Sequence, residues 1–89
     1  TDHVRCGYAF AAVCAVVTHA FEILGLERIE AACLVHNRAS ANLLRKAGFV
    51  EEGLARQYLR INGTRQDHLL FALLQSDFEA ALQDLTKLP

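Results

Sequence analysis

The stretch Phe49–Leu74, FVEEGLARQYLRINGTRQDHLLFALL, decides the fold. At its centre stands Asn62-Gly63, the dipeptide favoured by a type I′ turn, in which both central residues need a positive φ. Apolar residues flank the turn on both sides. The stretch therefore reads as a long antiparallel hairpin, with strands at Phe49–Ile61 and Arg65–Leu74. In the second strand Leu69, Phe71 and Leu73 face one way, and His68, Leu70, Ala72 and Leu74 face the other. Glu51-Glu52-Gly53 interrupts the alternation of the first strand and marks a bulge.

Working upstream, Asn37–Ala47 is a short helix, with Asn37 as its N-cap and Gly48 just past its end. Leu43, Leu44 and Ala47 form its inner face, while Arg45 and Lys46 sit in the last turn, where the helix dipole favours cations. Ile29–Val35, IEAACLV, is a strand with apolar residues on both faces, which predicts a central strand covered on both sides. Tyr8–Leu24 is a helix closed by Gly25. Nothing from Ala9 to Val17 is charged, and only Thr18, His19 and Glu22 make a polar stripe. A helix apolar nearly all round is buried on most of its faces, so this one demands a large apolar partner surface. Downstream, Ser76-Asp77-Phe78-Glu79 fits a capping box that opens a last helix ending near Lys87. The order α-β-α-β-β-α places the chain in the mixed α/β (α+β) class, as one domain over residues 1–89.

Composition excludes several functions. With 89 residues, 53% hydrophobic content and a net charge of −1, the chain is a small folded domain and not a disordered one. Nine Lys+Arg against ten Asp+Glu exclude a strongly basic nucleic-acid or membrane module. The apolar run Tyr8–Val17 is shorter than the roughly 20 residues that span a bilayer, so no membrane partner is expected. Cys6, Cys14 and Cys33 form no C-x-x-C pair and read as reduced thiols of a cytoplasmic protein. The four His are scattered, so no metal is expected. Cys33, in an apolar strand, reads as a buried small hydrophobe. Cys6, beside Arg5, is a candidate for a lowered thiol pKa. Asp67 and His68 are adjacent on a strand and point to opposite faces, so they do not form a dyad. His68 reads as a sheet residue with a satisfied hydrogen bond.

The block HNRASANLLRKAGFVEEG at residues 36–53, followed by Tyr58–Gly63 and Asp67-His68-Leu69-Leu70, resembles the GNAT acetyltransferases, and among them the RimJ/RimL type. Gly7-Tyr8-Ala9 and His19–Ala31 match that type in register. The resemblance implies acetyl transfer from acetyl-CoA to a primary amine, and it makes this chain roughly the C-terminal half of a GNAT domain. It implies that the CoA pyrophosphate lies against the loop before the first helix, where unpaired backbone N–H groups and the helix dipole favour an anion. Arg5, Cys6, Gly7 and Tyr8 are the corresponding cofactor positions. It implies further that Asn37 helps hold the pantetheine arm. Ser40, near the thioester sulfur, is the catalytic candidate that protonates the leaving thiolate. Leu44 stands where many other members carry a tyrosine. The base that relieves the amine of its proton would come from strands upstream of this chain.

Two departures from the family pattern support an alternative. Asp2 puts negative charge where phosphate should lie, and Arg5 replaces a glycine. A non-catalytic interaction module would keep the packing and lose the phosphate loop. Either a homodimer or further N-terminal strands would then complete the sheet.

Overall fold

The structure, a computed structural model, describes the backbone of residues 2–86 and the side chains of residues 8–81. Helix α1 spans Asp2–Thr18 and runs without a break into a π-helical turn at His19–Ile23. Strand β1 (Arg28–Leu34), helix α2 (Arg38–Lys46), strands β2 (Val50–Ile61) and β3 (Thr64–Leu74), and helix α3 (Gln75–Thr86) follow. The expected order of elements holds.

The three strands form one antiparallel sheet in the order β1-β3-β2. The hairpin closes at Asn62 and Gly63 with φ of 52° and 81°, the left-handed pair that the Asn-Gly dipeptide predicts. The expected bulge lies between Glu51 and Gly53. A second irregularity lies between Ala55 and Leu59, with Gln57 at a φ of 47°. The Gln57 N–H donates to Asp67 Oδ1 at 2.8 Å and its carbonyl accepts from Arg65 Nη1 at 3.2 Å. Those two bonds replace ladder bonds that the bulged backbone forgoes.

Among the described residues β3, not β1, is the central strand. β1 pairs on one side with β3, and among the described residues its other edge has no strand partner. β3 is central, and it carries buried residues on both faces: Phe71 and Leu73 on one, His68 and Ala72 on the other. The apolar run of β1 misleads because half of it is small. Ala32 lies exposed at little cost, since a methyl group has little apolar area to hide.

One face of the sheet is covered by helices. Val17 and Phe21 from α1 and its π-turn, Ala41 from α2, and Phe49 meet Cys33, Phe71 and Leu73 of the sheet. Phe78 of α3 joins this core, its ring 5.1 Å from that of Phe21. α2 is closed at its end by a Schellman motif. Gly48, at a φ of 98°, donates to the Arg45 carbonyl at 3.0 Å, and Phe49 donates to the Leu44 carbonyl at 2.9 Å. Leu44 and Phe49, the pair this motif brings into contact, both belong to the core. The π-turn also ends at a glycine: Leu26 donates to the Ala20 carbonyl at 3.0 Å across Gly25, whose φ is 67°.

Two boundaries differ from the sequence reading. α1 begins at Asp2, so the stretch expected as a loop before it has helical backbone. α3 begins at Gln75 rather than after a Ser76 cap. Asp77, at the third helical position, accepts from the Leu74 N–H at 3.1 Å, which is the return half of a capping box moved back by two residues. The expected end near Lys87 lies outside the described residues.

Phe71 is the most deeply buried large side chain, at 1% exposure. Phe71→Ala should destabilise the chain by about 3–5 kcal/mol. That is a large part of the stability of so small a domain. Urea unfolding followed by circular dichroism measures this directly, and a loss below about 1 kcal/mol would contradict the packing described.

Candidate functional site

The predicted site residues Asn37 and Ser40 come together at the start of α2. β1 ends at Leu34, whose carbonyl accepts from the Asn37 N–H at 3.0 Å. That turn delivers Asn37 to the N-cap. Its Oδ1 accepts from the Ser40 N–H at 3.1 Å, so the expected cap is present. The cap uses Oδ1, and the Asn37 side-chain amide N–H groups have no hydrogen-bond partner among the described residues. The Ser40 hydroxyl is half-buried and has no hydrogen-bond partner among the described residues. The ensemble is a helix N-terminus with a carboxamide and a hydroxyl, set at the end of a sheet strand. Such a site can accept a negative or thiolate-bearing group and supply a proton donor to it.

Arg5, Cys6 and Gly7 lie on the first turns of α1, and their side chains fall outside the described residues, as does the reactive-thiol reading of Cys6. Tyr8 is exposed on the same helix. Lys46 Nζ lies 4.5 Å from the centre of the Phe10 ring and links α2 to α1 by a cation–π contact.

Beside α2, Arg45 holds Glu51 at 2.6 Å and lies over the Phe71 ring, 5.6 Å from its centre. Burial pushes the Cys33 thiol up, with Arg45 opposing and Glu51 reinforcing the shift. Cys33 is a buried small residue of the core, as expected.

The opposite face of the sheet has its own polar cluster. Arg28 grips Glu52 with both terminal nitrogens, at 3.2 and 2.6 Å, and donates from Nε to Glu30 at 3.0 Å. Hydrogen bonding to Arg28 holds the Glu52 carboxyl below its usual range. His68 is buried on this face. Its Nδ1 lies 2.9 Å from the Gln66 carbonyl oxygen, and the Tyr58 ring stands edge-on at 5.7 Å. Asp67 does turn away from it, to Gln57. The Tyr58 contact was not legible, because nothing in Arg56-Gln57 announces the second bulge that brings Tyr58 over His68. Among the described residues no group of three or more His, Cys, Asp or Glu is placed to hold a metal. Nor is any helix there long and apolar enough to cross a membrane.

Comparison with known proteins decides the family. The family described as the acetyltransferase (GNAT) domain matches residues 1–50. This chain belongs to the GNAT acetyltransferase family. It is 45% identical over 73 residues to the probable N-acetyltransferase YjcK of Bacillus subtilis, covering 82% of this chain and 40% of that protein. It is 38% identical over 72 residues to the [ribosomal protein uS5]-alanine N-acetyltransferase of Escherichia coli, covering 81% and 37%. Among solved structures, the ribosomal-protein-S5-alanine acetyltransferase of Vibrio fischeri superposes with a TM-score of 0.76 at 39% identity, over 80% of this chain and 39% of that one. This GNAT chain thus spans about 40% of the length of the curated relatives it matches. The fold and family inferred from residues 36–70 are those found. GNAT acetyltransferases use acetyl-CoA as co-substrate.

Asn37→Ala should cost about 1 kcal/mol and speed amide hydrogen exchange at Ser40 by about fivefold or more. Exchange at Ser40 unchanged from the parent chain would show that the cap does not hold this turn.

Proposed function

We propose that this chain carries the donor-binding half of an N-acetyltransferase that moves the acetyl group of acetyl-CoA to a primary amine. The observation that carries the reading is the Asn37 cap with the Ser40 hydroxyl one turn into α2, within a chain of the GNAT family. In this reading Arg5, Cys6, Gly7 and Tyr8, on the N-terminal part of α1, meet the phosphates of CoA. Arg5 supplies a charge-assisted contact there. Asn37 holds the pantetheine arm through its side-chain amide, which the cap leaves free to donate. Ser40 gives a proton to the sulfur as it leaves. The amine nitrogen attacks the thioester carbon and gives up a proton to a base carried by strands upstream of this chain, charge collects on the carbonyl oxygen, and the C–S bond then breaks to release the CoA thiol. The uS5-alanine enzyme of Escherichia coli, by its name, acts on a protein alanine, and a relative from Vibrio cholerae, by its name, on spermidine. Both acceptors present a primary amine, and this is the acceptor class proposed here.

Isothermal titration with acetyl-CoA tests the reading. Saturable heat at micromolar ligand is expected, and its absence at high micromolar ligand sinks the reading for this chain. Ser40→Ala should leave that binding within about threefold while slowing acetyl transfer by 10²-fold or more, in the ordinary range for a lost proton donor (~10²–10⁴).

A second reading, an interaction module completed by another copy of the chain, is favoured by one observation. Val16, Ile23 and Leu24 are exposed at 60–70%, and among the described residues one edge of β1 has no strand partner. Light scattering separates the two readings: the module predicts a stable dimer and no acetyl-CoA binding, and a monomer that binds acetyl-CoA excludes it.

A further inference from the structure

His68 is the only buried polar or charged residue among those described, at 4% exposure. A carbonyl oxygen can only accept, so the 2.9 Å contact with the Gln66 oxygen requires the proton of the neutral ring on Nδ1. Nε2 is thereby left with its lone pair. It has no hydrogen-bond partner among the described residues, and no sealed side-chain nitrogen or oxygen there lacks one, so Nε2 keeps an opening to solvent. A ring that is buried, fixed in one tautomer and open at its accepting nitrogen is arranged to receive a donor from outside.

Its position agrees with that. His68 lies directly across from Leu34, the last residue of β1, and Leu34 holds the turn that sets the Asn37 cap. The accepting nitrogen thus sits at the same end of the sheet as Asn37 and Ser40. Tyr58, whose ring stands against His68, is 47% exposed and offers a free aromatic surface. From Tyr58 a groove of about 320 Å³ runs along the helix-free face of the sheet. Ala32, Leu59 and Leu70 line it, and Arg28 with Glu30 and Glu52 stands at its far end.

We propose that His68 and Tyr58 form the station for the acceptor's amine, and that the acceptor is a primary amine on a flexible aliphatic stem. An N–H of the amine donates to His68 Nε2, the ammonium charge lies against the Tyr58 ring, and the stem occupies the groove. This rests on the acetyl-transfer reading for its meaning, but it makes a binding claim that stands or falls without acetyl-CoA.

The test is a titration of the full chain with n-butylamine hydrochloride, followed by ¹⁵N resonances of the imidazoles and ring protons of the tyrosines. n-Butanol, which has the stem without the ammonium, is run in parallel. Acetyl-CoA binding is measured separately by calorimetry. A saturable shift at His68 and Tyr58 with the amine, at least about tenfold weaker with the alcohol, supports the proposal. Tyr58→Ala, at an exposed position that spares the core, should weaken the amine by about five- to thirtyfold. His68→Asn should abolish the response at Tyr58. Because His68 is buried and that variant risks misfolding, the parent chain and Tyr58→Ala decide the outcome. No shift at His68 up to ~50 mM amine overturns the proposal, whether or not acetyl-CoA binds. Equal response to the alcohol also overturns it. A shift at His68 with no acetyl-CoA binding upholds the amine station and rejects the donor reading instead.

Discussion

The burial of β3 on both of its faces is the constraint on which the rest of the structure depends. β3 is hydrogen-bonded along both edges, so its side chains have no way out except up or down. On the helix side Phe71 and Leu73 need cover, and α1, the π-turn, α2 and α3 all send an aromatic or aliphatic side chain toward them. Arg45 closes over the Phe71 ring while tied to Glu51. A charge at the rim of the core thus keeps a carboxylate partner and still shields an apolar face. Take Phe71 away and the helices lose the common object they pack on. The cost is a cavity together with the lost transfer free energy.

Placement of the candidate site follows from that packing. α2 can lie across the sheet only if the chain leaves β1 by a tight turn, and Asn37 makes the turn and starts the helix at once. The Schellman motif at Gly48 then brings the chain back into β2 with Phe49 already in the core. The same few residues that fix the helix therefore set where Asn37 and Ser40 stand. An ordinary capping duty is compatible with the ligand role proposed for Asn37: the cap uses the side-chain oxygen and leaves the amide group.

Much of this was legible from local chemistry. Asn62-Gly63, Asn37 with Gly48, and the Glu51–Gly53 bulge each carry a conformational demand that few residues meet, and each is found where the sequence placed it. The rank of the strands was not legible. Periodicity reports which residues are apolar, and β1 reads as central because alanines count as apolar although they lose little by exposure. Whether a strand has one neighbour or two is set by long-range pairing. The second bulge was hidden for a related reason. Gln57 is not a residue that advertises a positive φ, and it is held there by Asp67 and Arg65 from the neighbouring strand. The candidate site was half legible. That Asn37 and Ser40 stand together at the start of α2 followed from the capping pattern, whereas the environment of His68 depends on a tyrosine brought over it by that hidden bulge.

The bulge between Glu51 and Gly53 carries a further consequence. Val50 and Glu51 pair with Ala72 and Phe71, and Gly53, Leu54 and Ala55 pair with Leu70, Leu69 and His68. At this bulge Glu52 is the residue that the ladder does not count. Loss of a single residue from a strand ordinarily sends every later side chain to the wrong face. Here, loss of Glu52 alone would join the two stretches of ladder on either side of it with every other pairing intact, forfeiting only the grip of Arg28. The strand therefore tolerates a loss of length at this position. β2 can be shortened by one residue in descent without the core having to be relearned.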